Sequence, residues 1–417
     1  MAGRMAGSMA DGKMQAGAAE YDVIIVGGGA AGLTAAIAYL RRTDAGRLLV
    51  IDANDVCGRK LLATGNGRCN ISNLAADGYA EIKDFFESIG VLFRVEEGGR
   101  AYPMSGRAVS VQSALVLAAE RLGADFALGQ RVTEVRAGAA DGGFEVKAVD
   151  PGAAPGMTGA APGMTGAANG TTAGAHFYHA RRVLIAVGGK AGPQYGCFGE
   201  GFGLARKLGH TVESIGPALV PLVYTEAERG RLAGLKGVRV KCKAELMIDG
   251  RRAAASSGEL LFAEYGLSGV MMFDLSATMP KSILEDRPQV CVHLDLVPGI
   301  DAPALGRLME ENPGLWLSGV LDEKLSALLV RENGADSAKV AAAAKDFKAR
   351  LSGTKGWKEA QTTRGGIPLT EIDGDTGESR VAPGLYFAGE VLEPVFLCGG
   401  FNLSNAWATG IRAGASM

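Results

Sequence analysis

The chain is poor in the side chains that do most enzymatic proton and metal work. Only four histidines occur in 417 residues, His176, His179, His210 and His293, and none falls in a glycine-rich motif. Six cysteines, Cys57, Cys69, Cys197, Cys242, Cys291 and Cys398, are scattered without a C-x-x-C pair. That excludes a zinc ribbon or a disulfide framework and fits a reducing, cytoplasmic setting. No metal site is expected. Neither sign of charge dominates: 43 Lys and Arg face 45 Asp and Glu, for a net charge of −2. With no basic tail or block, the balance argues against a nucleic-acid partner held by phosphate contacts. The first twenty residues are small, polar and punctuated by Met, without the apolar core of a secretory leader. Residues 1–20 are expected to be a disordered extension. Long apolar runs are missing with one exception, VIIVGGGAAGLTAAIAYL at 23–40, which reaches the lower length limit for a membrane helix. Its four glycines fall within its first ten residues and its β-branched residues cluster before them. A strand, a turn and a helix explain that better, so no integral membrane segment is expected.

Glycine, at 62 residues, is what the chain has in excess. Some is absorbed by a repeat: GAAPGMT at 152–158 and 159–165, then GAANGTT at 166–172. Units this short and small bury no face, so 151–175 reads as a flexible hairpin-tip expansion. The rest punctuates strands. YDVIIV (21–26) and LLVIDA (48–53) read as buried strands around the helix AAGLTAAIAYLRR, a βαβ unit. EIKDFFESIGV and SVQSALVLAAERLGA read as helices, QRVTEVRAG and GGFEVKAV as an antiparallel pair, and RRVLIAVGG as a further buried strand. From about 217 to 295 short strands are expected, among them GVMMFDLSA. Helices are expected over 302–351, including SALLVREN and KVAAAAKDFKARL. GLYFAGEV and FNLSNAWATGIRAG return to strand and helix. The length admits two or three domains. The expected division is a discontinuous nucleotide domain (21–205 and 355–417), a β-rich insertion (206–300) and a small helical domain (301–354).

Gly27-Gly28-Gly29-Ala30-Ala31-Gly32 contains G-x-G-x-x-G between strand and helix, and the acidic Asp52 ends the next strand, followed by Ala53. The spacing suits a dinucleotide: Gly27 for the turn, Gly29 for approach to a pyrophosphate, Gly32 for helix–strand packing and Asp52 for ribose hydroxyls. Two further glycine turns follow buried strands, at Val187-Gly188-Gly189 and at Gly389-Glu390. They resemble the second and last strands of two-nucleotide-type flavoproteins, which favours FAD over NAD. The helix starting near Gly400-Phe401-Asn402 would point its N-terminus at the flavin pyrimidine ring. Val132, on the strand QRVTEVRAG, joins the same cofactor set. In the loop GRKLLATGNGRCNISN, Gly58-Arg59-Lys60 resembles the glycine–arginine element of amine-oxidase-like flavoproteins that crosses the FAD pyrophosphate. Gly65, Asn66, Gly67, Arg68, Cys69 and Asn70 would then run beside the isoalloxazine.

Together, VGGGAAGL, GRKLLATGNGRCNISN, GRAYPMSGRAVSV, GELLFAEYGLSG and GLYFAGEV…CGGFNLSNAWATGIRAG resemble one family. It is the BaiN-like (YhiN-like) NAD(P)/FAD-dependent oxidoreductases, which include aminoacetone-oxidase-like flavoproteins. The resemblance spans residues 26–414 and departs from the family's pattern at Asn66 and Val395-Phe396. It implies an α/β protein: a Rossmann-like FAD-binding domain of the glutathione-reductase type, an inserted β-barrel and a small helical domain. It implies an oxidoreductase passing hydride through flavin N5 to a small organic substrate, with steroid or bile-acid reduction suggested by the family name. The alternatives are a flavin amine oxidase or dehydrogenase and a non-catalytic flavin-binding sensor. No histidine falls in a flavin motif, so FAD is expected to be noncovalent. No second G-x-G-x-x-G follows a strand, since GEGFGL places Leu204 at its last position. NADH or NADPH would therefore dock directly over the flavin, or the organic substrate itself would supply the electrons. Cys69, Glu259 and Tyr265 are the candidate catalytic residues. Each also has a bland reading, as a small buried thiol, a salt-bridged barrel residue and a half-buried ring.

Overall fold

A computed structural model describes residues 19–43, 46–138, 142–150, 174–279, 288–312 and 314–417. Residues 1–18 and 151–173, which carry most of the expected extension and the repeat, lie outside the described residues.

The β-branched run YDVIIV lies in the strand Ala19–Val26, at the centre of a parallel arrangement. Leu48–Asp52 pairs on one side, with Asp125–Leu128 beyond it, and Ala175–Ile185 pairs on the other. That last strand has two further partners along its other edge. Its first half takes Phe144–Val149, and through it Arg131–Ala137, as an antiparallel meander, while Val183–Ile185 pairs in parallel with Leu385–Phe387. Apolar clusters cover both faces of the sheet. The helix Ala30–Leu40 lies against the final helix Phe401–Ser416, where a side chain at Gly410 or Gly414 would overlap the carbonyl oxygens of Ala31 and Ala35. The two backbones therefore nearly touch. Trp407, fully buried, donates from Nε1 to the Ile71 carbonyl at 2.8 Å and meets the Phe86 ring edge-on. This contact fixes the end of the glycine-rich loop against the last helix.

Six antiparallel strands close a barrel in the order Leu222–Tyr224, Gly266–Ser268, Arg251–Phe262, Arg239–Ile248, Val290–Asp295 and Phe347–Thr354. Helices Ala302–Glu311, Glu323–Asn333 and Ser337–Lys345 pack on its core. Each is N-capped by an aspartate side chain, Asp301, Asp322 and Asp336. The chain thus has the expected Rossmann-type domain, barrel and helices.

Two segments differ from the sequence reading. KDFKARL does not continue the preceding helix: after Asp346 the chain becomes the closing barrel strand, with Phe347, Ala349 and Leu351 buried between the exposed Lys348, Arg350 and Ser352. Alternation with a period of two outweighs the helix-forming composition there. GVMMFDLSA is not a strand but the helix Val270–Ser276, opened by Gly269 at φ +108°. A short apolar run does not by itself separate a buried strand from a buried helix. The uncharged stretch 23–40 divides into a strand and an eleven-residue helix. Among the described residues no helix is long and apolar enough to cross a membrane.

Candidate active site

A cleft of about 690 Å³ runs along the ends of the parallel strands to the barrel helix Val270–Ser276. The glycine turn opens one end of it. Gly27 has φ +108°, in the region that favours glycine, and a side chain there would press on the Ala186 carbonyl at 2.6 Å. A side chain at Gly32 would overlap the Gly27 carbonyl oxygen, whereas one at Gly29 would meet nothing within 4 Å. The turn is packed behind and open in front. Asp52 reaches back across it: Oδ2 accepts from Gly28 N at 2.7 Å, and Oδ1 accepts from Asn54 N at 2.8 Å. Burial pushes the Asp52 carboxyl up, against the hydrogen bonds from Asn54 and Gly28.

The loop after it is held across the cleft. Lys60 Nζ pairs with Glu390 Oε2 at 2.6 Å, and Glu390 Oε1 accepts from Thr363 N at 2.9 Å. Burial works against the Lys60 ammonium, but the Glu390 carboxylate more than offsets it and raises the Lys60 pKa. Gly189 leaves the room that Thr363 Oγ1 uses to accept from Lys190 N and Ala191 N. Farther along, Arg68 pairs with Glu96 and lies 4.0 Å from the Tyr102 ring centroid. Asn70 Oδ1 is buried on the cleft, without a hydrogen-bond partner among the described residues. Gly400, at φ +104°, backs onto the Ser72 carbonyl and opens the last helix.

Most residues singled out in the sequence line this cleft: Gly27, Gly29, Ala30, Ala31, Asp52, Ala53, Gly58, Arg59, Lys60, Gly65, Asn66, Arg68, Asn70, Val132, Val187, Gly188, Gly389, Glu390, Gly400 and Asn402. The Asn402 side chain is already engaged, bonded to the backbone of Phe396. Gly32 and Gly189 lie behind the wall as packing positions, and Gly67, Cys69 and Phe401 also fall outside the lining. Cys69 is fully buried, and burial pushes its thiol up to about 12. At neutral pH it is a protonated core residue. Glu259 and Tyr265 are not brought to the cleft. Glu259 is exposed on the barrel and paired with Arg239, and the Tyr265 ring lies under the Lys355 ammonium at 4.7 Å. Gln130, Arg131, Arg100, Tyr102, Tyr195 and Phe273 line the cleft without having been singled out. Arg100 and Tyr102 fall in GRAYPMSGRAVSV, where their alternation was the available signal.

A model of the HI0933-like protein Rossmann domain matches residues 160–416, more than half of the sequence. The chain belongs to the HI0933-like family. It is 32% identical, over 94% of its length and 97% of the relative's, to a Clostridium scindens protein named 3-dehydro-bile acid delta(4,6)-reductase. It is 26% identical, over 93% of its length and 96% of the relative's, to an Escherichia coli protein named ribosomal RNA dihydrouridine synthase. Among solved structures, the 3-ketosteroid delta1-dehydrogenase of Sterolibacterium denitrificans superposes with a TM-score of 0.50 at 14% identity. That match covers 95% of this chain and 98% of the other, and shows a shared fold. The HI0933-like chain is thus an FAD-dependent oxidoreductase. The residues present fit the cofactor: the turn is open at Gly29 and Gly188, and Asn70 Oδ1 is a buried acceptor awaiting a donor. The charge balance, by contrast, does not exclude a nucleic-acid substrate in a family with such a relative.

The HI0933-like fold also contains a serine–histidine–glutamate relay that is structural. His210 Nδ1 lies 2.8 Å from Glu371 Oε2, and Nε2 lies 2.7 Å from Ser379 Oγ. Ser379 is buried, and its Oγ accepts from Val381 N and Ala382 N, so it presents no free nucleophile. The relay ties the 371–382 loop beneath the strand Leu385–Phe387, with the His210 ring edge-on to Phe387. Burial opposes the Glu371 charge, but the bonds from Thr211 and His210 prevail and hold its carboxyl below the usual value of 4.5. A depressed folded pKa gives stability that is present above the unfolded value and lost as pH falls through the folded one. Glu371→Gln is therefore expected to cost about 1–2 kcal/mol at neutral pH. In thermal melts from neutral to acid pH, its gap to the wild type should close. A gap independent of pH would assign the loss to packing alone.

Proposed function

We propose that this protein reduces a carbon–carbon double bond conjugated to a carbonyl, with NADH or NADPH as donor and noncovalent FAD as relay. Two relatives support the substrate class. A 3-dehydro-bile acid delta(4,6)-reductase and a dihydrouridine synthase, as named, are both named for saturating a ring double bond conjugated with a carbonyl. The observation that carries the reading is the continuity of the cleft, from the glycine turn at Gly27–Gly32 to the apolar side chains of Val270 and Phe273.

In this reading the amides of the turn and the start of helix Ala30–Leu40 hold the FAD diphosphate, and Asp52 takes adenosine ribose hydroxyls. Glu390, steadied by Lys60 and Thr363 N, faces the ribityl chain. Asn70 Oδ1 and the first amides of helix Phe401–Ser416 face the ring. Bound FAD supplies two-electron hydride transfer between a nicotinamide and the substrate. GEGFGL forms the short helix Glu200–Lys207 after a loop, not a second strand–turn–helix nucleotide site. The nicotinamide therefore docks at the open side of the same cleft.

The test is anaerobic incubation with NADH or NADPH and a 3-oxo-4-ene steroid. Loss of the enone absorption in step with nicotinamide oxidation is expected. Flavin indifferent to both nucleotides but bleached by a small amine, with peroxide formed in air, would overturn the reading in favour of an amine oxidase. The Escherichia coli relative's name favours a second substrate of the same chemical class, a uracil ring within RNA. Reduction of uridine in ribosomal RNA, with the steroid untouched, would select it.

A further inference from the structure

This inference rests on the reductase reading and concerns what holds the substrate's carbonyl. The strand Arg100–Pro103 lies between Ser72–Asn73 and Phe93–Val95, with Arg100 opposite Asn73. Asn73 Nδ2 donates to the Gly399 carbonyl at 3.0 Å, which ties this small sheet to the loop that opens into the last helix. Arg100 and Tyr102, two residues apart on the strand, both line the cleft. The neighbouring cations are committed: Arg68 and Arg94 both pair with Glu96. Among the described residues no hydrogen bond or ion pair engages the half-buried Arg100 guanidinium. Its field reaches Asp274 and Cys398. Asp274, however, already accepts from Cys398 N at 2.7 Å, which seats the barrel helix on the loop. That helix turns Val270 and Phe273 toward the cleft. Where three segments meet, the apolar Val270 and Phe273 thus line one cleft with a guanidinium that, among the described residues, no hydrogen bond or ion pair engages.

We propose that Arg100 holds the substrate's carbonyl oxygen and stabilises the negative charge that develops there. In the step it assists, the carbon β to the carbonyl gains a hydride from reduced flavin. The π pair of the double bond shifts to form the enolate, with its charge on the oxygen bonded to Arg100. The α-carbon then takes a proton from water. Bound FAD would supply the hydride, and NADH or NADPH would be the reductant that restores it. A guanidinium suits the oxygen because its donors are fixed in a plane and it stays charged at every working pH. Its bond is stronger to the enolate than to the neutral ketone, and that difference lowers the barrier. The same contact serves a steroid enone and a uracil ring.

The test uses the oxidised flavoprotein and needs no turnover. para-Nitrophenolate mimics the enolate oxygen, and para-nitroanisole is its uncharged counterpart. The wild type should bind the phenolate about 10- to 100-fold more tightly than the ether. Arg100→Met should lose that preference while keeping its flavin absorbance and its affinity for the ether. Arg100→Lys, which keeps the charge without the fork, should retain part of it. With an enone substrate, Arg100→Met should lower kcat more than it raises KM. A phenolate preference unchanged in Arg100→Met overturns the proposal, even if enones are reduced. If the preference disappears but the wild type reduces no conjugated carbonyl, the oxyanion site stands and the reductase reading falls. An effect on KM alone, with the preference intact, would make Arg100 an anchor for a remote anionic group and also overturn the proposal.

Discussion

Gly32→Ala is expected to purify without flavin colour. The added methyl would overlap the Gly27 carbonyl oxygen, and neither partner can yield cheaply. Gly27 has no room behind it, since even a Cβ there would come within 2.6 Å of the Ala186 carbonyl oxygen, and the helix that starts at Ala30 is packed against the last helix of the chain. The easiest relief is to move the turn outward, into the space that Gly29 leaves open. That displaces the amides proposed to hold the diphosphate. Overpacking of this kind costs about 1–3 kcal/mol, and when it falls on the cofactor site it weakens FAD on the order of 10- to 100-fold. Gly29→Ala is the informative contrast. Its methyl meets nothing within 4 Å beyond its chain neighbours among the described residues, so the apoprotein should be as stable as the wild type while FAD affinity still falls. Flavin content at matched protein concentration, with a thermal melt of each apoprotein, separates the two effects. Full flavin content in Gly32→Ala would contradict the assigned role of the turn.

Lys60→Met should have the second large effect, and its sign depends on the partner left behind. The variant strands the Glu390 carboxylate beside the path proposed for the ribityl chain, next to the diphosphate, with only Thr363 N still bonded to it among the described residues. Removing one partner of a fully buried pair costs about 3–5 kcal/mol. Here the side chains are 26% and 21% exposed, so solvent screening reduces this to about 1–2 kcal/mol. The like charge should also weaken FAD by roughly tenfold. Glu390→Gln alone leaves the lysine charge unopposed and should bind FAD no worse through electrostatics. Lys60→Met combined with Glu390→Gln should recover much of the loss. The double-mutant cycle, read as FAD dissociation constants, isolates the pair from the packing of either chain. Additive losses would mean that the ion pair does not organise the site.

The sequence was most legible where backbone chemistry demands glycine. The turn at Gly27–Gly32 announces itself because strand, glycines, helix and Asp52 occur in one short span. The loop carrying Lys60 and Asn70 stands out for a similar reason, as a density of donors and bare backbone that no core helix would carry. Val270–Ser276 was misread because a few apolar residues fit strand and helix alike, and the helix is set by the turn at Gly269 and by its seat on Cys398. Phe347–Thr354 was misread because its lysine and arginine suit a helix, while the barrel partners that impose alternation come from residues 222–224 and 290–294. Glu259 drew attention by its motif, yet its partner, Arg239, is fixed only by the pairing of two barrel strands. Arg100 carried only the alternation within GRAYPMSGRAVSV, which does not separate it from the other cations of the loop. Its meaning comes from Arg68 and Arg94 both pairing with Glu96 while, among the described residues, Arg100 stays unpaired, and that is a property of the fold. The balance of charge was too coarse a guide, since a pocket can read one base without a basic surface.

The most direct test of the central claim is the visible spectrum of the purified protein, before and after anaerobic addition of NADH or NADPH. The account predicts a flavin spectrum, release of FAD into the supernatant on acid precipitation, and bleaching by one of the two nucleotides. A colourless protein that also fails to take up added FAD would contradict it.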